Sequence, residues 1–314
     1  MPPKILVISG PTASGKTRLA VELALRHGGE VVSADSMQVY RRMDIGTAKP
    51  TPEEMRGIPH HMLDVADPEE DFSVARYVEL AAPCVDDILA RGKLPIVAGG
   101  TGLYLDSLLS GRTFAPFSPD GGLRARLEAR FDALGGEAML GELAAADPEA
   151  AARLHPNDHK RIVRALEVFQ QTGKTISQHN RETRALPLRY DALTLSLAFQ
   201  RREDMWARID RRVDEMMAAG LAEEVRALLD SGVPARCTAM QAIGYKEMAA
   251  AQRGGGDVCA AAEEIKLRSR QYAKRQLTWF RRTEGAKWLF WGPEPDFEAA
   301  CRTSTKYLEE FGLV

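Results

Sequence analysis

Cysteine is scarce in this chain: four residues, at 84, 237, 259 and 301, among 314, with no Cys-x-x-Cys pair. That excludes a disulfide framework and a cysteine zinc cluster. Long apolar runs are also missing, none approaching the ~18–20 residues needed to cross a bilayer, so no membrane partner is expected. The opening Met1-Pro-Pro-Lys leads into a β-branched run without the basic segment and cleavage site of a secretory leader. The expected compartment is therefore the cytoplasm. Nor is one sign of charge in excess: 42 basic side chains face 44 acidic ones, a net charge of −2. A uniformly basic nucleic-acid binder is excluded, but a one-sided basic surface is not. There is no internal repeat and no low-complexity tract.

What is present suffices for a substantial core, with 45% hydrophobic residues. At roughly 150 residues per domain the length suggests about two domains. Short apolar runs at 4–8, 30–34 and 94–98 alternate with helix-forming stretches at 16–26 and 73–91, the pattern of a parallel α/β sheet. Ser73 is the expected N-cap of the second helix. From about 118 to 173 the alternation stops and only helical segments follow, broken by Pro119, Gly135-Gly136, Asp147-Pro148 and Pro156. Strand character returns at 193–199 and 287–291, with helices from about 202 and 296. The expectation is an α/β core of residues 1–115 and 190–314, interrupted by an all-helical insertion at 116–189.

GPTASGKT at 10–17 matches the phosphate-loop pattern GxxxxGK[ST], with a strand before it and a helix after it. Gly10, Pro11, Thr12, Ala13, Ser14, Gly15, Lys16 and Thr17 are thus expected to hold a di- or triphosphate. Backbone N–H groups at a helix start and the Lys16 ammonium suit an anion, and the Thr17 hydroxyl suits a phosphate oxygen or Mg²⁺. Ligands in open parallel sheets sit beyond the carboxyl ends of the strands. Asp35 and Thr101, each just past a strand, should therefore face the loop, although either could simply cap the turn or helix that follows. His155 and His159 have helical i, i+4 spacing, but Pro156-Asn157-Asp158 between them reads as a helix start and no third metal ligand is near.

The whole set of motifs resembles the tRNA dimethylallyltransferases, also called tRNA isopentenyltransferases, in their bacterial form. The resemblance continues through DSMQVYRRMDIGTAKP at 35–50, PHHMLD at 59–64, GGTGLY at 99–104 and HPNDHKRIVRALEV at 155–168. Thr172-Gly173-Lys174, RIDRRVDEM at 208–216, QAIGYKE at 241–247 and RQYAKRQLTWF at 270–280 complete it. Departures are small: Met205 replaces a usual leucine and Ser269 a usual threonine. The chain also ends without the zinc-finger extension of eukaryotic members.

The resemblance implies a P-loop NTPase-like parallel sheet flanked by helices. It implies Mg²⁺-dependent transfer of a dimethylallyl group from dimethylallyl diphosphate to N6 of the adenosine immediately 3′ of the anticodon. The favoured tRNAs read codons that begin with U, and a monomer is the expected state by analogy. Asp35 would be the general base, Thr101 would orient the amine, and Arg208, more than Arg212, would contact the leaving oxygen. Contacts to the anticodon stem-loop would come from Asp35, Ser36, Met37, Gln38 and Thr101. Lys160, Arg161, Ile162, Val163 and Arg164 of the insertion would add to these. So would Gln241, Ala242, Ile243, Gly244, Tyr245 and Lys246, and Lys274, Arg275, Gln276 and Arg281. The last group lies in a stretch, 266–282, with seven cations, no acidic residue and interleaved Tyr272, Trp279 and Phe280. The rival reading is a small-molecule or nucleotide kinase built on the same phosphate loop.

Overall fold

Apolar β-branched runs bounded by glycine, proline or serine form the strands in the computed structural model, which describes residues 2–111, 114 and 122–314. In chain order the elements are β1 (Lys4–Ser9), α1 (Lys16–His27), β2 (Gly29–Ser33), α2 (Pro52–Met55), β3 (His60–His61), α3 (Val74–Ala90), β4 (Leu94–Gly99) and α4 (Gly102–Leu109). Then follow α5 (Gly122–Ala146), α6 (Pro148–Ala151), α7 (His159–Thr172), α8 (Ile176–Arg184) and β5 (Asp191–Phe199). The chain ends with α9 (Arg202–Ala218), α10 (Leu221–Asp230), α11 (Tyr245–Gly254), α12 (Val258–Phe280), β6 (Lys287–Trp291) and α13 (Phe297–Phe311).

The six strands form one parallel sheet in the order β3-β2-β4-β1-β5-β6. β1 sits centrally, paired with β4 on one side and β5 on the other. The chain fills one side of β1 first and the other side later, so β1 ends at the point where strand order reverses. That is where an open α/β sheet leaves a crevice for a ligand. Alternation along β1 divides the core between the faces. Ile5 and Val7 join α3, α4 and α10–α12, while Leu6 and Ile8 join α1 and α13. Ser73 caps α3 by accepting from Arg76 N–H at 3.2 Å, as its position before the helix implies. The two-residue β3 is too short to leave a periodic signal in the sequence.

Two compact units result, residues 1–109 with 189–314, and residues 110–188. The junction expected at 115/116 and the expected helical start near Ser118 and Pro119 lie outside the described residues. The second unit is helical, with its own core of Leu127, Met139, Leu143, Ile162, Val163 and Leu166. α5 bends at Gly135, whose φ of +80° is left-handed. A Cβ on the next residue, Gly136, would fall 2.1 Å from Pro156 O, so the chain folds back closely there. Asp147 caps two helix starts at once, accepting from Ala150 N–H and Ser177 N–H at 3.0 Å each. No helix among the described residues is long and apolar enough to cross a membrane.

Candidate active site

The phosphate loop connects the buried end of β1 to α1. Gly15 ends the loop in a left-handed conformation, φ +82°, and a Cβ there would lie 2.7 Å from the Phe297 ring. Later elements hold the loop's backbone from outside. Trp291 Nε1 donates to Ser14 O at 2.8 Å, Arg208 Nε donates to Ala13 O at 3.2 Å, and Thr12 N–H donates to Gln276 Oε1 at 2.9 Å. Within the loop, Ser14 Oγ and Lys16 Nζ both donate to Pro11 O, at 2.8 and 2.7 Å. The first-turn N–H groups of α1 are left to point at an anion.

Lys16 keeps some exposed surface, but its ammonium lies deep in the loop. Burial is the main reason its pKa drops to about 8; Asp35 opposes that fall and Arg212 adds to it. Arg208 and Arg212 are likewise shifted down by burial, Arg212 with Asp35 acting against the shift. Arg212 Nη2 also reaches Ala48 O at 3.5 Å. Both arginines of α9 therefore belong to the cationic cluster: Arg208 touches the phosphate loop, and Arg212 lies within electrostatic reach of Lys16 and Asp35.

Opposite the cations, the loops after β2 and β4 are knit together. Thr101 Oγ1 accepts from Ser36 N–H at 3.1 Å and donates to Ser36 Oγ at 3.3 Å. Asp35 Oδ1 accepts from Met37 N–H at 2.9 Å, so this carboxylate does cap its turn. Thr101 N–H donates to Ala34 O at 3.2 Å. Each residue thus has a structural task of its own, and Asp35 also lies within electrostatic reach of Lys16 and Arg212. Gln38 is spent within its own loop: its amide accepts from Ser33 Oγ at 3.1 Å and donates to Thr47 O and Ala48 O at 3.3 and 3.1 Å.

Sequence reasoning does not name Glu224, and it names Tyr272 and Gln276 only as an interleaved aromatic and an RNA contact, not for their place beside these loops. Glu224 of α10 accepts N–H bonds from Asp44, Ile45 and Gly46 at 2.9, 2.8 and 3.1 Å, plus the Tyr245 hydroxyl, and so fastens the loop that starts at Asp35. The Tyr272 hydroxyl lies close to Thr101, and burial first, then Asp35, push it up to about 12. Gln276 is buried against the phosphate loop. For the last two the only sequence signal is spacing, since Gln276 follows Tyr272 by one helical turn.

Several residues named for RNA contact turn out to be internal. Ile162 and Val163 are completely buried in the helical unit, because α7 directs that face of its amphipathic stripe inward. Arg164 pairs with buried Glu167 at 2.6 Å, while Lys160 and Arg161 are exposed. Ala242, Gly244, Tyr245 and Gln276 are buried, Ile243 is partly so, and Gln241 and Lys246 are exposed, as are Lys274, Arg275 and Arg281. In the basic stretch, Lys266 pairs with Asp214 at 2.6 Å, Arg268 with Glu264 at 2.6 Å and Arg270 with Asp210 at 3.4 Å. Phe280 is core, and Trp279 lies half open, its Nε1 donating to Asp106 Oδ2 at 3.0 Å.

A glycine-bearing loop at the switch point of a parallel sheet, with one lysine and two arginines clustered at it and a carboxylate in electrostatic reach, defines a P-loop-like α/β protein. Comparison with known proteins narrows the class. The family model for IPP transferase matches residues 38–283, and that for isopentenyl transferase matches 3–70. A tRNA dimethylallyltransferase of Acetivibrio thermocellus is 45% identical over 98% of both chains. Another, from Trichlorobacter lovleyi, is 50% identical over 92% of this chain and 94% of its own. Among solved structures, the tRNA isopentenylpyrophosphate transferase of Bacillus halodurans is similar with TM-score 0.72 and 41% identity, covering 98% of this chain and 96% of its own. A eukaryotic dimethylallyltransferase acting on tRNA aligns with TM-score 0.81 and 30% identity, over 98% of this chain and 78% of its own. The chain belongs to the IPP transferase family.

Proposed function

We propose that the protein transfers a dimethylallyl group from dimethylallyl diphosphate to N6 of the adenosine immediately 3′ of the anticodon in tRNA. The observation that carries this reading is the placement of Asp35 and Thr101 across from the Lys16–Arg208–Arg212 cluster. One side can receive a leaving anion while the other receives a proton. The N6 lone pair forms the new N–C bond as the allylic C–O bond breaks, and its electrons leave on diphosphate. Preorganised cations and loop N–H groups lower the barrier where that negative charge grows. The amine becomes acidic as it bonds to carbon, and Asp35 takes its proton while Thr101 holds the nitrogen in line.

Thr17 offers a hydroxyl with no hydrogen-bond partner among the described residues, and no cluster of three or more metal-ligating side chains lies nearby among them. One protein oxygen completed by substrate oxygens and water is a donor set suited to Mg²⁺. A bound Mg²⁺ would supply further neutralisation of the diphosphate.

A stacked adenine cannot reach this crevice, so the base is extruded from the anticodon loop. Phosphate contacts then fall to the exposed cations Lys274, Arg275 and Arg281, and to Lys160 and Arg161 of the helical unit, with Gln241 and Lys246 adding polar contacts. Such a reaction belongs in the cytoplasm. The relatives named above are prenyl-transferring enzymes, which leaves the kinase reading without support.

The test is incubation with labelled dimethylallyl diphosphate, Mg²⁺ and unmodified tRNA, followed by digestion. N6-prenyladenosine is the expected product. Absence of label in the RNA, or transfer from ATP to a small acceptor, would refute the reading.

A further inference from the structure

Helix α12 carries different chemistry on different faces. Lys274, Arg275 and Thr278 line an open groove of about 410 Å³ along its outer side. Tyr272, Gln276 and Trp279, spaced i, i+4 and i+7, form a single stripe on another face. Each member of the stripe meets one part of the loop and helix that follow β4. Tyr272 lies close to Thr101. Gln276 Nε2 donates to Gly100 O at 2.9 Å. Trp279 covers Gly102, where a Cβ would fall 2.3 Å from the indole ring. A Cβ on Gly100 would lie 2.3 Å from Gln276 Nε2, so both glycines make room for α12.

Gln276 also reaches across to the phosphate loop. Its Oε1 accepts from Thr12 N–H at 2.9 Å, and the residue is only 6% exposed. Thr12 N–H and Pro11 C=O belong to one planar peptide unit and point in opposite directions. The glutamine thus fixes the plane whose other end, Pro11 O, receives Lys16 Nζ and Ser14 Oγ. One buried amide therefore sets the loop that holds the phosphate cation and the loop that bears Thr101.

We infer that Gln276 is a positioning residue that holds the diphosphate cradle in register with the Thr101 loop. Through it, the outward basic face of α12 is tied to the donor site. The inference rests on the proposed function only in taking the cradle's ligand to be a diphosphate; the identity of the acceptor does not enter.

The experiment measures calorimetric affinity for inorganic pyrophosphate with Mg²⁺, alongside the affinity for a fluorescent anticodon stem-loop. Gln276→Met keeps the volume and removes both hydrogen bonds, so pyrophosphate binding should weaken about tenfold while RNA affinity stays within about twofold. Gln276→Glu supplies a second reading. Its protonated carboxyl can still accept from Thr12 and donate to Gly100, whereas the ionised form cannot donate and repels the anion. Its pyrophosphate affinity should rise toward wild type as pH falls from about 8 to about 6, in a window where the wild-type protein changes little.

Unchanged pyrophosphate affinity in the Met variant would overturn the inference, as would a selective loss of RNA affinity, which would make Gln276 an RNA contact. If the Met variant does not fold, a pH-independent Glu variant overturns it instead. A wild-type protein that binds no pyrophosphate would remove the proposed function along with it.

Discussion

Asp35 and Lys16 lie within electrostatic reach of each other, and the proposed reaction asks opposite things of them. Asp35 is the proposed proton acceptor, so Asp35→Asn keeps the shape and the bond from Met37 N–H but loses the base. The expected outcome is a fall in single-turnover rate of about 10²–10⁴-fold with stem-loop affinity within about threefold. A parallel fall in both would mean that the carboxylate serves only its turn. To hold the proposed diphosphate Lys16 must be charged, yet burial lowers its pKa from 10.5 to about 8. The unfolded chain therefore binds more protons than the folded one between those two values, so this group favours folding increasingly as pH rises through that window. Ligand binding has the opposite sign. Pyrophosphate restores the proton, so its affinity should be flat below about pH 8 and then weaken by about tenfold per unit. Lys16→Met should bind weakly at every pH, without that bend; a wild-type curve lacking the bend would contradict the burial of the ammonium.

At the scale of elements, α12 shows how far sequence reasoning reaches. The stretch 266–282, with seven cations and no acid, reads in sequence as one RNA-facing surface, but acids on α9 and earlier in α12 pair with Lys266, Arg268 and Arg270. Lys274 and Arg275 project outward without an ion pair among the described residues. Lys274→Ala or Arg275→Ala should weaken stem-loop binding and lower the slope of log affinity against log salt by about one each. Lys266→Ala should leave that slope unchanged, which a salt titration of fluorescence anisotropy would reveal. The phosphate loop was legible because its chemistry is contiguous, eight residues between one strand and one helix. Asp35 and Thr101 were legible because each ends a recognisable strand. Gln276 was named only as an RNA contact, and its bond to the loop was not legible, since its partner Thr12 lies 264 residues away. Glu224 was hidden for the same reason, 180 residues from the Asp44 N–H that it accepts.

For the whole molecule, the α/β unit has its own two-faced core and the helical unit has another. The insertion leaves and rejoins the sheet unit at one place: Arg189 N–H donates to Leu109 O at 2.9 Å. Replacing residues 110–188 with a short Gly/Ser linker should leave a folded sheet unit that binds pyrophosphate like the intact chain. Stem-loop affinity should fall at least about tenfold if the insertion supplies phosphate contacts such as Lys160 and Arg161. Full RNA affinity without the insertion would confine recognition to the sheet unit. The amphipathic alternation that builds both units was plain in the sequence, whereas β3 was not, because two residues carry no periodicity.

The central claim is that a cradle for diphosphate and a proton acceptor flank one reacting carbon. It is tested most directly by solving the structure with an unreactive thio-analogue of the donor and an anticodon stem-loop. The account predicts the diphosphate against Lys16 and Thr17, with the amino nitrogen of the extruded adenine about 2.6–3.2 Å from Asp35. A diphosphate bound elsewhere, or an adenine amine turned away from Asp35, would contradict it.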